Sequence, residues 1–519
     1  MRNTILMCMA VLLLTACTRK FEEINTNPYD LYDDELKGNF KLLGDPLTQA
    51  MLNILSSSDV SVAQLQQNLM GDVFSGYMMT PNPFQDNRNN MTYDLLDSWN
   101  DDAWLTAYGS VMPNCKFVMD NARGKYMDFY AWAQLLKVIA MHRISDIYGP
   151  VIYTHYAMIN EDHSIDYDSQ QHAYAAFFKD LDSAINTLTH FADSTGTRRF
   201  ADFDLSYKGD YTKWVRLANT LRLRLAIRIS KVDPVKAKLE GEAALSHPYG
   251  LISSVADNFN IDISPATHPV NVICNSWNDI RMGAPMESIL TGYHDPRLPY
   301  YFRSADAKDS VYHGIRNGIA IPSKDLYAGF SKLALLPSHI QLLTAAEAYF
   351  LKAEAGLYGW KGASDVQNNY ELGIYMSFQQ YGITTAFFDY IHNSTYVARP
   401  YVDPQNALNN VDSPLSKITI QWDPAATTAS KLERIITQKW IAVFPDGQEA
   451  WSEFRRTGYP GLFPIVVNNS SGKIPTNTFI RRIPFIQFEY TTNQAGVNRA
   501  VATLKGPDNG GTRLWWDVP

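Results

Sequence analysis

The chain has 519 residues, 46% of them apolar and 19% charged, so a large core is available and global disorder is excluded. A formal net charge of −8 excludes a protein built to track a phosphate backbone and suits a neutral ligand. Length alone allows about three domains of average size, and aromatics at 13% supply core filler with some left over for stacking surfaces.

The chain opens with Arg2 and an apolar run from Ile5 to Leu14. That run is shorter than the roughly 20 residues of a membrane span and fits a secretory signal. Leu14-Thr15-Ala16-Cys17 resembles a bacterial lipobox, so the expectation is a signal peptide over 1–16, cleavage before Cys17, and acylation of its thiol and new amino group. Several acyl chains at about 0.8 kcal/mol per buried CH₂ hold such a protein firmly. Cys8 leaves with the signal, so Cys115 and Cys274 remain as ordinary thiols and no disulfide scaffold is expected. Residues 17–40 are polar and read as a lipidated tether and first loop.

Asp45-Pro46 has the form of a helix start, aspartate as cap and proline in the first turn. Ser61-Val62-Ala63-Gln64 has capping-box spacing, and Val62, Leu65, Leu69, Val73 and Tyr77 follow at helical period. Thr80 to Trp99 holds Pro81, Pro83 and several asparagines and reads as a long loop. Helices are predicted at 101–121, 128–148, 170–191 and 211–230, with Asp233-Pro234 opening another. Arg222, Arg224 and Arg228 on the fourth read as solvated or ion-paired guanidiniums beside a leucine stripe rather than as an anion site. From Leu251 to Tyr327 helical periodicity fades; Asn271–Cys274 and Asp309–Ile315 look strand-like. A helix pair is expected at 341–358 and 364–381, the second capped by the Ser364-Asp365-Val366-Gln367 box and ended by Gly382, about the size of a tetratricopeptide repeat.

Residues 431–460 form a predicted helical hairpin. Leu432, Ile435, Ile436, Trp440 and Val443 share one face, Pro445-Asp446-Gly447 breaks the helix, and Ala450, Trp451 and Phe454 face inward from a second helix ended by Gly458. Trp515 and Trp516 in the last residues read as a plug on the core.

The segment QKWIAVFPDGQEAWSEFRRTGYP closely resembles one in the SusD/RagB-like family of outer-membrane nutrient-binding lipoproteins. Further family-like phrases are HRISDIYGP, KWVRLANTLRLRLAIRIS, Asp295-Pro296-Arg297-Leu298 and the terminal Leu514-Trp515-Trp516-Asp517, so the resemblance runs nearly the whole length. It implies a mainly α fold: 41–519 as a single SusD-like domain of degenerate tetratricopeptide-like helix pairs, with a loop-rich, minor-β part facing the ligand. It further implies a lipid-anchored protein on the cell outer membrane, facing the exterior, that binds glycans or oligosaccharides and passes them to a TonB-dependent SusC-like transporter. An oligopeptide-binding lipoprotein of the same architecture and a non-binding adaptor that stabilises the transporter are the alternatives.

Enzymatic signatures are absent from the sequence: no GxxxxGK[ST], HExxH, GxSxG or GxGxxG is present, and no cofactor, metal or nucleic acid is expected. Glu347 with Glu354 and Glu449 with Glu453 are acid pairs on predicted helices beside Lys352 and Arg456, and read as structural ion pairs rather than glycosidase acids. Binding chemistry is better represented. A sugar ring needs an aromatic plane for its C–H face and amides or carboxylates for its hydroxyls. Two predicted loops combine these: 82–100, with Phe84, Tyr93, Trp99 and Asn100 among asparagines, and 268–283, with Asn275, Trp277, Asn278, Asp279 and Arg281. Trp99, Asn100, Asn275, Trp277, Asn278 and Asp279 are the candidate ligand-binding residues.

Overall fold

A computed structural model describes residues 38–519 apart from 195, 197 and 307; Cys17 and the expected signal and most of the tether lie outside the described residues. Helices dominate. Lys41–Ile54 (α1), Met112–Ala122 (α2), Met127–Tyr148 (α3), Gln170–Asp193 (α4), Tyr211–Arg228 (α5) and Pro234–Ser246 (α6) each pack on the next in turn. Pro269–Asn275 (α7) is short, and Ala345–Leu357 (α8), Val366–Gln380 (α9), Thr428–Ala442 (α10) and Gly447–Thr457 (α11) complete the scaffold. The fold class is mainly α, built of helix pairs. Two antiparallel two-stranded ribbons cross it: Met78–Met79 (β1) with Arg281–Met282 (β3), and Phe259–Asp262 (β2) with His339–Leu343 (β4).

Local chemistry explains most boundaries. Asp210, Asp233, Thr344, Asp365, Thr427 and Asp446 cap the starts of α5, α6, α8, α9, α10 and α11 with side-chain oxygens, each satisfying amides that have no helical partner. Gly458, at φ 80°, ends α11 where only a glycine is unstrained.

The departures from expectation have physical causes. α1 begins at Lys41, with Pro46 inside it; Phe40 stacks on Phe129 at 5.6 Å and seats the chain a turn before the proline. Asp59, not Ser61, caps the next helix, accepting from the amides of Ser61 and Val62. That helix passes into a π-helical stretch, Gln64–Asp72. Asn271–Cys274 belongs to α7 because Pro269 sits at its first turn and His268 caps it; a short apolar run fits either period. Residues 309–315 make only isolated bridges, Asp306 to Val311 and Gly283 to Ile315. Gln341 lies in β4 opposite Asn260, so α8 starts only at Ala345.

Trp440 and Trp451 are each 1% exposed. The Trp440 indole N–H donates to Ser75 O and that of Trp451 to Ile480 O, both at 3.0 Å. Trp516 is fully buried, donating to Asp146 Oδ1 at 2.8 Å, with Trp515 partly buried beside it: the terminal pair does seal the core. The φ of Gly447 is not positive, so left-handed freedom is not what the turn requires of it. Close approach demands it instead, since a Cβ there would lie 2.5 Å from Asp72 Cα.

Arg224 and Arg228 are ion-paired as expected but not solvated; both are buried. Arg224 pairs with Glu347 at 2.5 Å, Arg228 with Glu449, Glu453 and Asp146, and Lys439 with Glu347, Glu449 and Glu453. Arg456 reaches Glu354 and Glu453 at 2.6 Å each. Lys352 takes no part and stands over the Tyr349 ring at 5.2 Å. A network this dry holds together because each charge has several partners. Cys115 and Cys274 are both free and buried, in separate clusters of the core.

Candidate ligand-binding site

Two stretches nearly 200 residues apart in number meet because β1 pairs with β3, Met79 opposite Arg281. The first candidate loop leaves the end of β1 and the second enters the start of β3. They touch directly: Asn82 Nδ2 donates to Asp279 Oδ1 at 3.4 Å. Lys324 fastens the junction, its ammonium donating to Asp279 Oδ1 at 2.6 Å and to the Trp277 carbonyl at 3.0 Å.

Arg281, the residue opposite Met79, is wholly buried. Its guanidinium donates to the Ala328 carbonyl from Nε at 3.0 Å and Nη2 at 2.5 Å, to the Ile280 carbonyl at 2.6 Å, and to Asn278 Oδ1 at 2.8 Å. A planar fork with every arm bonded fixes the turn above it. Asn278 occupies the left-handed region at φ 61°, a conformation asparagine tolerates. The result is a clamped turn that leaves Trp277 36% exposed, with Asn275 and Ser276 also facing solvent.

The amides of both loops serve the turns. Asn87 Nδ2 and Oδ1 bond the Ile321 carbonyl and amide at 3.0 and 2.8 Å. Asn89 accepts from Met91 N at 3.0 Å. Asn100 is buried, its Oδ1 accepting from Asn90 Nδ2 at 2.9 Å, and its carbonyl takes the Tyr148 hydroxyl. Asn271 bonds Leu336 through both ends of its amide. Asn275 donates to the Asn271 carbonyl at 2.9 Å and accepts from Arg303. Trp99 is half-buried, edge-on to Phe84 at 5.5 Å and against an apolar cluster that includes Ile321 and Tyr327. So Asn275, Trp277, Asn278 and Asp279 share one turn, the first two exposed and Asp279 buried under Lys324, Trp99 lies against the core, and Asn100 braces the first loop from inside. Lys324 and Arg303 were not singled out in the sequence: both lie outside the two candidate loops, although the aromatic run Tyr300-Tyr301-Phe302 just before Arg303 was a signal that could have marked it.

Nothing here resembles a hydrolytic pair. Glu347, Glu354, Glu449 and Glu453 are bound into the buried network. Among the described residues no group of His, Cys, Asp and Glu is placed to hold a metal ion. The arrangement offers an aromatic plane beside hydrogen-bonding and charged groups on a rigid turn.

Fold and surface together define a helical scaffold carrying a presented aromatic turn. The chain belongs to the SusD-like family: the model of the Susd and RagB outer membrane lipoproteins matches residues 23–517. It is similar to a chitin-binding SusD homologue from Flavobacterium johnsoniae, with 46% identity over 93% of this chain and 98% of that chain and a TM-score of 0.88. It is also similar to a SusD homologue from Bacteroides vulgatus (34% identity, 93% of this chain, 99% of that chain, TM-score 0.87). A SusD-like protein from Bacteroides thetaiotaomicron gives 34% identity over 92% of this chain and 99% of that chain, with a TM-score of 0.85. No curated protein matches the chain.

Proposed function

We propose that this protein is a surface glycan-binding lipoprotein that holds oligosaccharides and passes them to a TonB-dependent SusC-like transporter. The exposed Trp277 on a turn clamped by Arg281 and Lys324 carries this reading, because a pre-set indole stacks on a sugar face without an ordering cost. The family's description as outer membrane lipoproteins and the chitin-binding relative support it. Residues 41–519 act as one domain, 17–40 as a tether, and the lipid on Cys17 anchors the chain to the outer membrane, facing the exterior. Among the described residues no helix is long and apolar enough to cross a membrane, so in this reading the anchor is the lipid. The protein then works as a lid over the transporter mouth, binding without bond cleavage.

The test is calorimetric titration with chito-oligosaccharides. Trp277→Ala is expected to weaken binding about tenfold, the loss of one stacked ring, while leaving the melting temperature unchanged. Transporter capture without binding of any sugar by the wild type would instead mark an adaptor, and release of reducing ends would mark an enzyme.

A further inference from the structure

Around Trp277 the backbone gathers cations that are scattered in sequence. The Met282 amide on β3 bonds the Ser331 carbonyl at 2.8 Å, and the Arg303 amide bonds the Lys332 carbonyl at 2.7 Å. Phe302 and Leu333 form a bridge. Residues 281–282, 331–333 and 302–303 therefore lie side by side. The exposed Arg303 reaches Asn275, two residues before Trp277, and its Nε donates to the Leu333 carbonyl at 2.9 Å. Lys324 holds the Trp277 carbonyl itself.

Arg281, Arg303, Lys324 and Lys332 thus surround one turn in a protein of net charge −8. Asp279 lies among them and is already bound by Lys324 at 2.6 Å. Asp325 follows Lys324 on an exposed turn and pairs with none of the four. Among the described residues Arg281, Arg303 and Lys332 have no carboxylate partner. Arg281 spends its donors on carbonyls and on Asn278 Oδ1, so its charge is fixed but not neutralised. Burial first, then Arg281, with Arg303 and Lys324 adding and Cys274 opposing, push the half-buried Lys332 ammonium below its ordinary range.

A structure does not hold like charges together at a surface without cost, and an anion arriving beside the indole relieves it. We infer that the Trp277 face recognises an acidic glycan, one whose sugar ring stacks on the indole while a carboxylate or sulfate group meets Arg303 and Lys332. This rests on the glycan-binding reading and narrows it. Both anions share the same chemistry, acceptor oxygens facing guanidinium and ammonium donors.

The experiment titrates the full mature chain with an oligogalacturonide, an oligosaccharide of chondroitin sulfate and a neutral chito-oligosaccharide, at low and high salt. At least one acidic sugar is expected to bind more tightly than the neutral one, and the acidic sugar that does so identifies carboxylate or sulfate. Raising ionic strength from about 0.01 to 1 M, which shrinks the screening length from about 30 to 3 Å, is expected to erase that preference. Lys332→Gln is expected to weaken acidic-sugar binding about threefold to fivefold, as for a part-exposed charge pair, with neutral-sugar binding unchanged, and Arg303→Gln, which also frees Asn275, to weaken acidic-sugar binding by at least as much. Trp277→Ala is expected to weaken every sugar that binds. Neutral-sugar binding through Trp277 with no acidic preference overturns this inference and leaves the glycan reading standing. Acidic binding untouched by both glutamine substitutions overturns it as well. Failure of all three sugars to bind overturns both.

Discussion

Arg228 Nη2 donates to Glu449 Oε2 at 2.6 Å although 221 residues separate them, and neither side chain meets water. Burial works against ionising Glu449, but Arg224, Arg228 and Lys439 outweigh it and hold the carboxyl well below its ordinary range. Burial likewise opposes Glu453, yet Arg456, Lys439 and Arg228 bring it down to about 2. Removing one member strands the rest. Arg228→Met is expected to cost about 3–5 kcal/mol, as breaking a buried pair does, read as a lower urea midpoint.

The same carboxylates set an acid limit. A carboxyl depressed from its ordinary 4.5 to about 2 adds stability that is full above about pH 4.5 and is lost as pH falls through about 2. Asp72 and Glu287 act oppositely. Burial, with Asp446 adding to it, lifts Asp72 to about 8 against hydrogen bonds from Gln67, Asn68 and the Gly447 amide. Burial, with Asp403 adding, lifts Glu287 to about 8 against the Gly314 amide. Their contribution is full below about pH 4 and drains away as pH rises through about 8, by at most about 1.4 kcal/mol per pH unit for each. Asp72→Asn and Glu287→Gln are expected to flatten the fall in melting temperature between about pH 5 and 9; an unchanged slope in both would refute the assignment.

Helix pairs and hairpin were legible because their apolar residues recur at helical spacing and their ends carry Asp, Thr and Gly in capping positions; Asp233 and Gly458 stand where expected, whereas Asp365 rather than Ser364 caps α9. α7 and β4 were not, since Val-Ile and Ile-Gln-Leu-Leu are too short to reveal a period and only the β2–β4 pairing decides the second. The candidate site was half legible. Its indole and loops stand out in the sequence, whereas Lys324 and Arg303 join them only through pairing between distant segments. Most asparagines there prove to hold turns, a role that composition does not separate from ligand contact.

Trp451 lies under the Arg455 guanidinium, 3.5 Å from its ring centroid, and Trp440 packs 4.9 Å from Tyr77. Truncating either to alanine is expected to cost about 3–5 kcal/mol. Gly447→Ala is expected to cost about 1–3 kcal/mol by overpacking, because the new Cβ meets Asp72 backbone that cannot yield. Thermal melts of the three variants check both, and an unaltered Gly447→Ala melt would show that α11 can shift.

Asn100 and Trp277 are expected to separate cleanly. Asn100→Ala removes a buried bond from Asn90, whose amide keeps the Leu69 carbonyl and the Leu96 amide, costing about 1 kcal/mol, with sugar affinity preserved once the protein is held below its melt. Trp277→Ala is expected to do the reverse. A collapsed melt in the Trp277 variant would place that ring in the core.

Cys17→Ala is expected to release the protein from the outer-membrane fraction or leave its signal uncleaved, as fractionation and mass spectrometry of the amino terminus would report. Retention of the variant in that fraction at wild-type level would remove the lipid from the account.

The long reach of the buried charges dictates an order of assembly. Arg143 finds its partner in Asp446, Arg228 in Glu449 and Glu453, and the cap on Asp146 is Trp516. In a compact state of the first four-fifths of the chain alone, Arg143 lacks Asp446 and Arg228 keeps only Asp146 of its three acids. The amino-terminal helices are therefore expected to reach their final packing only when the last stretch joins them, rather than one by one along the chain.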